Sequence, residues 1–337
     1  MNKKISVLIL AGAVLLAATS CSINRMATRM AADALASPGG TSVFASETDP
    51  QLVADALPFA LKLYETLLQS DPENRPLLEA TAEGFISYAN AFIHTPATML
   101  GYEELDRQKE MLSRAKNMYL RGRDYALQAL ETDYPGFTAA VREGRGQAEL
   151  QKMEAEDVKT LYWAAAGWMG AISAAGFDTA LLMELPRPVA LAARGLELDE
   201  EYSQGAFHGL FIDIYGGVPS EQMLYGSSDL GSYSRELLAG YYSDRAVSAD
   251  TPAAKARYHF GKAVEIADGQ LAGPYVSLAA SVSVQTQDAD EYRHLLEAAL
   301  SIDVNENPRN RLVNIISQQK AQWLLDTIGD RFLLLED

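Results

Sequence analysis

The chain has 337 residues, 45 of them Asp or Glu and 28 Lys or Arg, for a formal charge of −17. That balance excludes a nucleic-acid binder that grips phosphate through Lys/Arg patches, and it argues against a body lying flat on anionic lipid. With 48% hydrophobic residues the chain can build a sizeable core, as one large domain or an extended array.

The first element is a targeting segment. Lys3 and Lys4 form a short positive region, and an apolar stretch of 14 residues runs from Ile5 to Ala18. It is shorter than the roughly 20 residues a membrane-spanning helix needs. Ala17, Ala18, Thr19 and Ser20 then offer small side chains to a signal peptidase just before Cys21. The pattern is similar to a bacterial lipobox, with Ala18 where Leu is commoner. Residues 1–20 are therefore expected to be a lipoprotein signal peptide. Cys21 is the chain's single cysteine, so the mature body is expected to have neither an internal disulfide nor a thiolate metal site. Lipidation gives this odd cysteine a purpose, because each buried acyl CH₂ contributes about 0.8 kcal/mol to anchoring. Ser22 stands where an Asp would favour inner-membrane retention, which points to the periplasmic face of the outer membrane. Removing the peptide takes two lysines and no acid, so the charge moves from −17 to −19.

Residues 21–49 read as a lipidated N-terminus and linker containing the turn Ser37-Pro38-Gly39-Gly40, and residues 50–337 as one helical domain. Leu77, Thr81, Phe85, Tyr88 and Phe92 mark one helical face; Leu105, Leu112, Ala115, Tyr119, Gly122 and Ala126 mark the next. Later come Phe207, Leu210, Phe211 and Ile214, then Tyr292, Leu295, Leu296 and Ala299, then Leu312, Ile315, Ile316 and Trp323. No sustained alternation of apolar and polar residues marks a strand, and no apolar run after the signal reaches 18 residues. The expectation is an all-α fold.

Acidic turns punctuate these helices at Asp71, Asp133, Asp199, Asp268 and Asp303. The segments before the last four, among them Leu296-Glu297-Ala298-Ala299-Leu300-Ser301-Ile302-Asp303, read like the second helix of a tetratricopeptide repeat. The spacing of 35 from Asp268 to Asp303 is close to the 34-residue period, and the earlier spacings of 62, 66 and 69 are near twice it. A helical array, or superhelix, of cryptic tetratricopeptide-like repeats is expected. Within Leu161–Ala175, Gly167 and Gly170 predict close helix crossings, since glycine inside a helix otherwise costs about 1 kcal/mol. Gly205 and Gly209 are expected to repeat the device.

Reaction chemistry is sparse. His94, His208, His259 and His294 fall on four different helices without metal-ligand spacing, so no metal site and no cofactor are expected. His208, set among Phe207, Phe211 and Tyr215, reads as a partly buried, satisfied histidine. Phosphate-loop, dinucleotide and nucleophile-elbow motifs are absent. A helical cell-wall hydrolase would need a cleft holding a buried glutamate of raised pKa.

The order of segments resembles the T component associated with tripartite ATP-independent periplasmic (TRAP) transporters, called TatT. The resemblance rests on Cys21-Ser22-Ile23, the Asp71-Pro72-Glu73-Asn74 turn, Tyr119–Leu127, Leu161–Ala166 with Trp168, and Arg194–Glu200. It continues through Gly205-Ala206-Phe207-His208 and Gly273–Ala279 to Arg311–Ile316 with Gln319, Ala321, Trp323 and Leu324. Ser220–Thr251 departs from the family as a Gly/Ser/Tyr-rich insertion. The resemblance implies a non-enzymatic homotrimer paired with the substrate-binding P component, with a hydrophobic hole through each protomer for a small apolar ligand. Candidates to line that hole are Tyr88, Tyr162, Trp163 and Trp168, then His208, Phe211, Tyr215 and Tyr275. The alternative is a helical-repeat lipoprotein scaffold of envelope assembly, binding unfolded chains in an open groove.

Overall fold

Short polar residues followed by proline start several of the helices. Asp49 caps α1 (Pro50–Ser70), its carboxylate accepting from the backbone N–H of Gln51 at 2.9 Å and of Leu52 at 3.2 Å. Asn74 caps α2 (Arg75–Ala89) by accepting from Leu77 N–H at 3.0 Å. The computed structural model describes residues 43–176 and 178–333; the signal segment, Cys21 and the Ser37–Gly40 turn lie outside the described residues. The other principal helices are α3 (Leu105–Asp133), α4 (Val158–Ala174), α5 (Pro186–Leu198), α6 (Tyr202–Gly216) and α7 (Asp229–Asp244). They are followed by α8 (Pro252–Ile266), α9 (Ala272–Leu278), α10 (Ala289–Ser301) and α11 (Arg311–Asp326). Among the described residues there is no strand, and the fold is all-α.

All five acidic turns fall at helix ends, after α1, α3, α5, α8 and α10. The helices between them are unequal, from 29 residues in α3 to 7 in α9, so the repetition is one of turns rather than of equal units. Two helices run on through a π-helical turn, α2 into Asn90–His94 and α9 into Ala279–Ser283.

Packing follows a closed circuit. α1 lies on α2, α2 on α3, α3 on α4, and α4 on both α5 and α6. α6 then packs on α8 and α9, α9 on α10 and α11, and α11 returns to α1. At that seam Arg311 Nη1 donates to the Ser46 carbonyl at 2.9 Å.

Glycine sets the tightest crossings. A Cβ on Gly167 would stand 3.1 Å from the Arg123 backbone nitrogen, and one on Gly122 would stand 3.0 Å from the Ala82 carbonyl. α2, α3 and α4 therefore meet backbone to backbone. Gly205 and Gly209 do not repeat this arrangement. Gly205 closes a left-handed turn with Ser203 and Gln204 (φ 80°, 47° and 60°), and Gly209 faces open space with nothing within 4 Å of a Cβ position. The left-handed turn costs about 1–2 kcal/mol for each non-glycine residue. It is held by Gln204, whose side-chain amide exchanges two hydrogen bonds with Asn310, at 2.9 and 3.0 Å.

Candidate functional site

Each helix of the circuit buries one face, and several leave a water-accessible stripe on another. On α2 and its π turn the stripe is Glu83, Ser87, Asn90 and His94; on α4 it is Tyr162, Trp163, Ala166 and Gly170. On α6, beyond its left-handed turn, it is Ala206, Gly209, Asp213 and Gly217, spaced as one helical face; on α11 it includes Ile316, Ser317 and Lys320.

These stripes face one another. The Tyr162 ring meets Trp163 at 5.0 Å, Phe207 at 5.4 Å and Tyr202 at 5.6 Å, which joins α4 to α6. Asp213 on α6 lies within electrostatic reach of Lys320 on α11. Lys320 in turn reaches His94, and Glu83 reaches Tyr162 and Tyr202. Residues from both ends of the chain are thus brought within electrostatic reach of one another. Asp213 is exposed, and its pKa is raised, chiefly by desolvation from the helices packed around it. Desolvation likewise lowers the pKa of Lys320, takes that of His94 down to about 4 and pushes that of Tyr162 up to about 12.

The residues singled out in the sequence fall into two groups. Tyr162 and Trp163 sit on the accessible stripe of α4, although the Trp163 Nε1 atom is itself buried and has no hydrogen-bond partner. Tyr275 is half-buried against Phe260, edge to face at 5.1 Å. Tyr88 is 8% exposed, with its ring beside Phe92 and under Arg114. Trp168 is buried under Arg123, and its Nε1 donates to Glu184 at 2.7 Å. His208, Phe211 and Tyr215 are buried between α6 and α8.

Around His208 the structure assembles a polar chain inside the apolar core. His208 Nδ1 lies 2.8 Å from His259 Nδ1, and His259 Nε2 lies 2.8 Å from the Tyr242 hydroxyl. Tyr242 donates to Tyr215 at 2.9 Å. That proton is then spent, so His259 Nε2–H donates to Tyr242 and His259 Nδ1 accepts from His208 Nδ1–H. His208 Nε2 is left as a bare acceptor without a partner among the described residues. Burial holds both imidazoles neutral, with the His208 pKa brought down to about 4 and that of His259 well below its ordinary range. Phe211 stacks on His259 at 4.9 Å.

Asn90, Asp213, Ser277 and Lys320 were not singled out by sequence reasoning, and His94 and Tyr119, which hydrogen-bond each other at 3.1 Å, were named there only as a scattered histidine and a helix-face residue. The usable signal was Asp213, a lone carboxylate inside the apolar run Leu210-Phe211-Ile212 and Ile214-Tyr215. Ser220–Thr251 borders a separate surface hollow of about 480 Å³, lined by Pro219, Glu221 and Asp250 and bridged by a Lys255–Glu221 ion pair of 2.6 Å. No cluster of three or more His, Cys, Asp or Glu able to hold a metal occurs among the described residues. No described helix is long and apolar enough to cross a membrane.

The principal helices form a closed packing circuit, from α1 through α11 and back to α1. The family described as the TRAP transporter T-component matches residues 46–226 and 231–332, and the chain belongs to it. It is also 33% identical, over 296 residues, to an uncharacterised protein of Treponema pallidum (strain Nichols), covering 87% of this chain and 83% of that protein. As a family member the chain is a TRAP transporter T component, a transport protein rather than a member of an enzyme family.

Proposed function

We propose that this chain is a non-enzymatic periplasmic lipoprotein, anchored through Cys21, that docks the substrate-binding P component and passes a small ligand through its interior. The observation that carries the reading is the accessible stripe on each of α2, α4, α6 and α11 within a closed circuit of helices, in a chain of this family. Rings on the α4 stripe, Tyr162 and Trp163, suit the apolar part of a ligand. The acidic charge of the body argues against its lying on anionic lipid, so membrane residence is assigned to the acyl chains. The lone-cysteine signal and Ser22 support the periplasmic face of the outer membrane, and family membership supports a homotrimer.

The test is capture of the P component by tagged, full-length protein from envelope extracts, with mass determination of the purified complex. Retention of a TRAP substrate-binding protein by a three-protomer particle is expected. Failure to retain it at any salt concentration would overturn the docking role. Labelling with an alkyne fatty acid is expected to mark the wild type and to be lost in Cys21→Ala.

A further inference from the structure

One face of α1 is apolar and uncovered. Val53, Leu61, Tyr64 and Leu68 bury one side of the helix, which packs on α2. On another side Leu52, Ala56, Phe59 and Leu63 recur at i, i+4, i+7 and i+11, a spacing that sets them in one exposed stripe. Phe59 is 75% exposed and Leu52 55%, where a surface helix ordinarily carries polar groups. Scattered apolar side chains are ordinary on a surface, whereas a continuous stripe of them marks a place that another element covers.

The chain leading into α1 carries a matching stripe. Residues 22–36 lie outside the described residues, and in their sequence Ile23, Met26, Ala27, Met30 and Ala34 recur at helical period, with Asn24, Arg25, Thr28 and Arg29 set apart from them. As a helix this segment is about 22 Å long, against about 16 Å from Leu52 to Leu63. Residues 37–49, with the turn Ser37-Pro38-Gly39-Gly40, reach up to about 45 Å when extended, ample to bring the chain back along α1. Met26 and Met30 are unbranched side chains that adapt to the irregular surface around the Phe59 ring.

We propose that residues 22–36 form an amphipathic helix that folds back antiparallel on α1 and covers the stripe from Leu52 to Leu63. So short a tether gives the segment an effective concentration on the order of millimolar, which a second copy of the chain matches only in concentrated solution. The covering needs no acyl chain and so goes beyond the anchoring role proposed above. With Cys21 acylated, it carries the lipid to the Leu63 end of α1 and sets which end of the body meets the membrane.

The experiment places p-benzoylphenylalanine at position 26 of the full-length protein and maps the photoadducts by mass spectrometry. Adducts on α1 of the same chain are expected. Adducts on a second copy or on lipid, or none on α1, overturn the proposal. Phe59→Asp, at an exposed position, should remove the adduct and speed tryptic cleavage after Arg25 and Arg29 at least 10-fold; equal cleavage rates in variant and wild type also overturn it. Leu52→Gln, a milder change, should move both readouts in the same direction, and thermal melts of each variant separate loss of covering from loss of fold. Cys21→Ala should lose the fatty-acid label and keep the adduct, so failure of the anchor and failure of the covering are told apart.

Discussion

Asp157 is 3% exposed, and its two oxygens are taken by Arg75 Nη2 at 2.8 Å and the Tyr134 hydroxyl at 2.6 Å. The same guanidinium reaches Glu79 at 2.9 Å and pairs with Asp133, so one side chain on α2 binds the ends of α3 and α4. Removing it leaves a buried carboxylate short of its cation, which costs about 3–5 kcal/mol. Arg75→Met is therefore expected to lower the urea midpoint sharply without changing helical content, as followed by circular dichroism. Hydrogen bonds from Tyr134 and the Glu154 backbone, with Arg75 beside it, hold the Asp157 pKa below its ordinary value against the opposing effect of burial. The stability it contributes is present above the usual carboxylate range and is lost only as pH falls below about 4. His208 acts in a different window. Its folded pKa of about 4 lies below the unfolded value near 6.5, so the unfolded chain takes up a proton first as pH drops. Stability is full above about 6.5 and declines between there and about 4, and thermal melts at pH 7 and pH 5 should differ by several degrees. His208→Phe should reduce that slope without abolishing it, since burial holds His94 and His259 neutral in the same way. None of these partnerships could be read from the sequence, because Arg75 and Asp157, or His208 and His259, meet only through tertiary packing. Asp213 stood out only as a charge out of place.

At the scale of elements the sequence was far more legible. The five acidic turns are local chemistry, fixed within a few residues, and they sit at helix ends as the sequence implied; the caps Asp49 and Asn74 are equally local. Gly167 could be recognised as a crossing because a glycine inside a helix has few other reasons to be there. Gly205 and Gly209 carried the same sign with other meanings, since the left-handed turn depends on Asn310, far along the chain. That turn invites two variants. Ser203→Gly removes a side chain from a left-handed backbone and should stabilise the protein by about 1 kcal/mol. Gln204→Leu discards the paired amide hydrogen bonds, leaves Asn310 (3% exposed) unsatisfied and should destabilise it by about 1–3 kcal/mol. Opposite shifts in melting temperature from neighbouring substitutions would identify the turn as strained and externally held.

For the whole molecule the decisive feature is the seam between α1 and α11. Helical period foretold the helices but not that the last would return to the first, because closure is summed over every crossing angle along the array. Arg311 bonds the Ser46 carbonyl across that seam, and its Nε atom is buried without a partner. Arg311→Ala is expected to speed amide hydrogen exchange in α1 and α11 while leaving α5 unchanged; uniform acceleration would mean the seam is no separate unit. The seam also explains why an interior could not be located from sequence: its walls are the faces of helices that are neighbours only after closure.

The two π turns carry a genealogical consequence. A π turn amounts to one residue added to an α-helix, and one residue rotates everything beyond it by about 100°. Asn90–His94 and Ala279–Ser283 therefore mark places where ancestry would be recorded as length rather than identity. A lineage that dropped a single residue from the first would swing His94 away from Lys320 with no other change in composition. Among descendants of one ancestor, such one-residue gaps would sort chains by what their interiors present, even where percentage identity says they are alike.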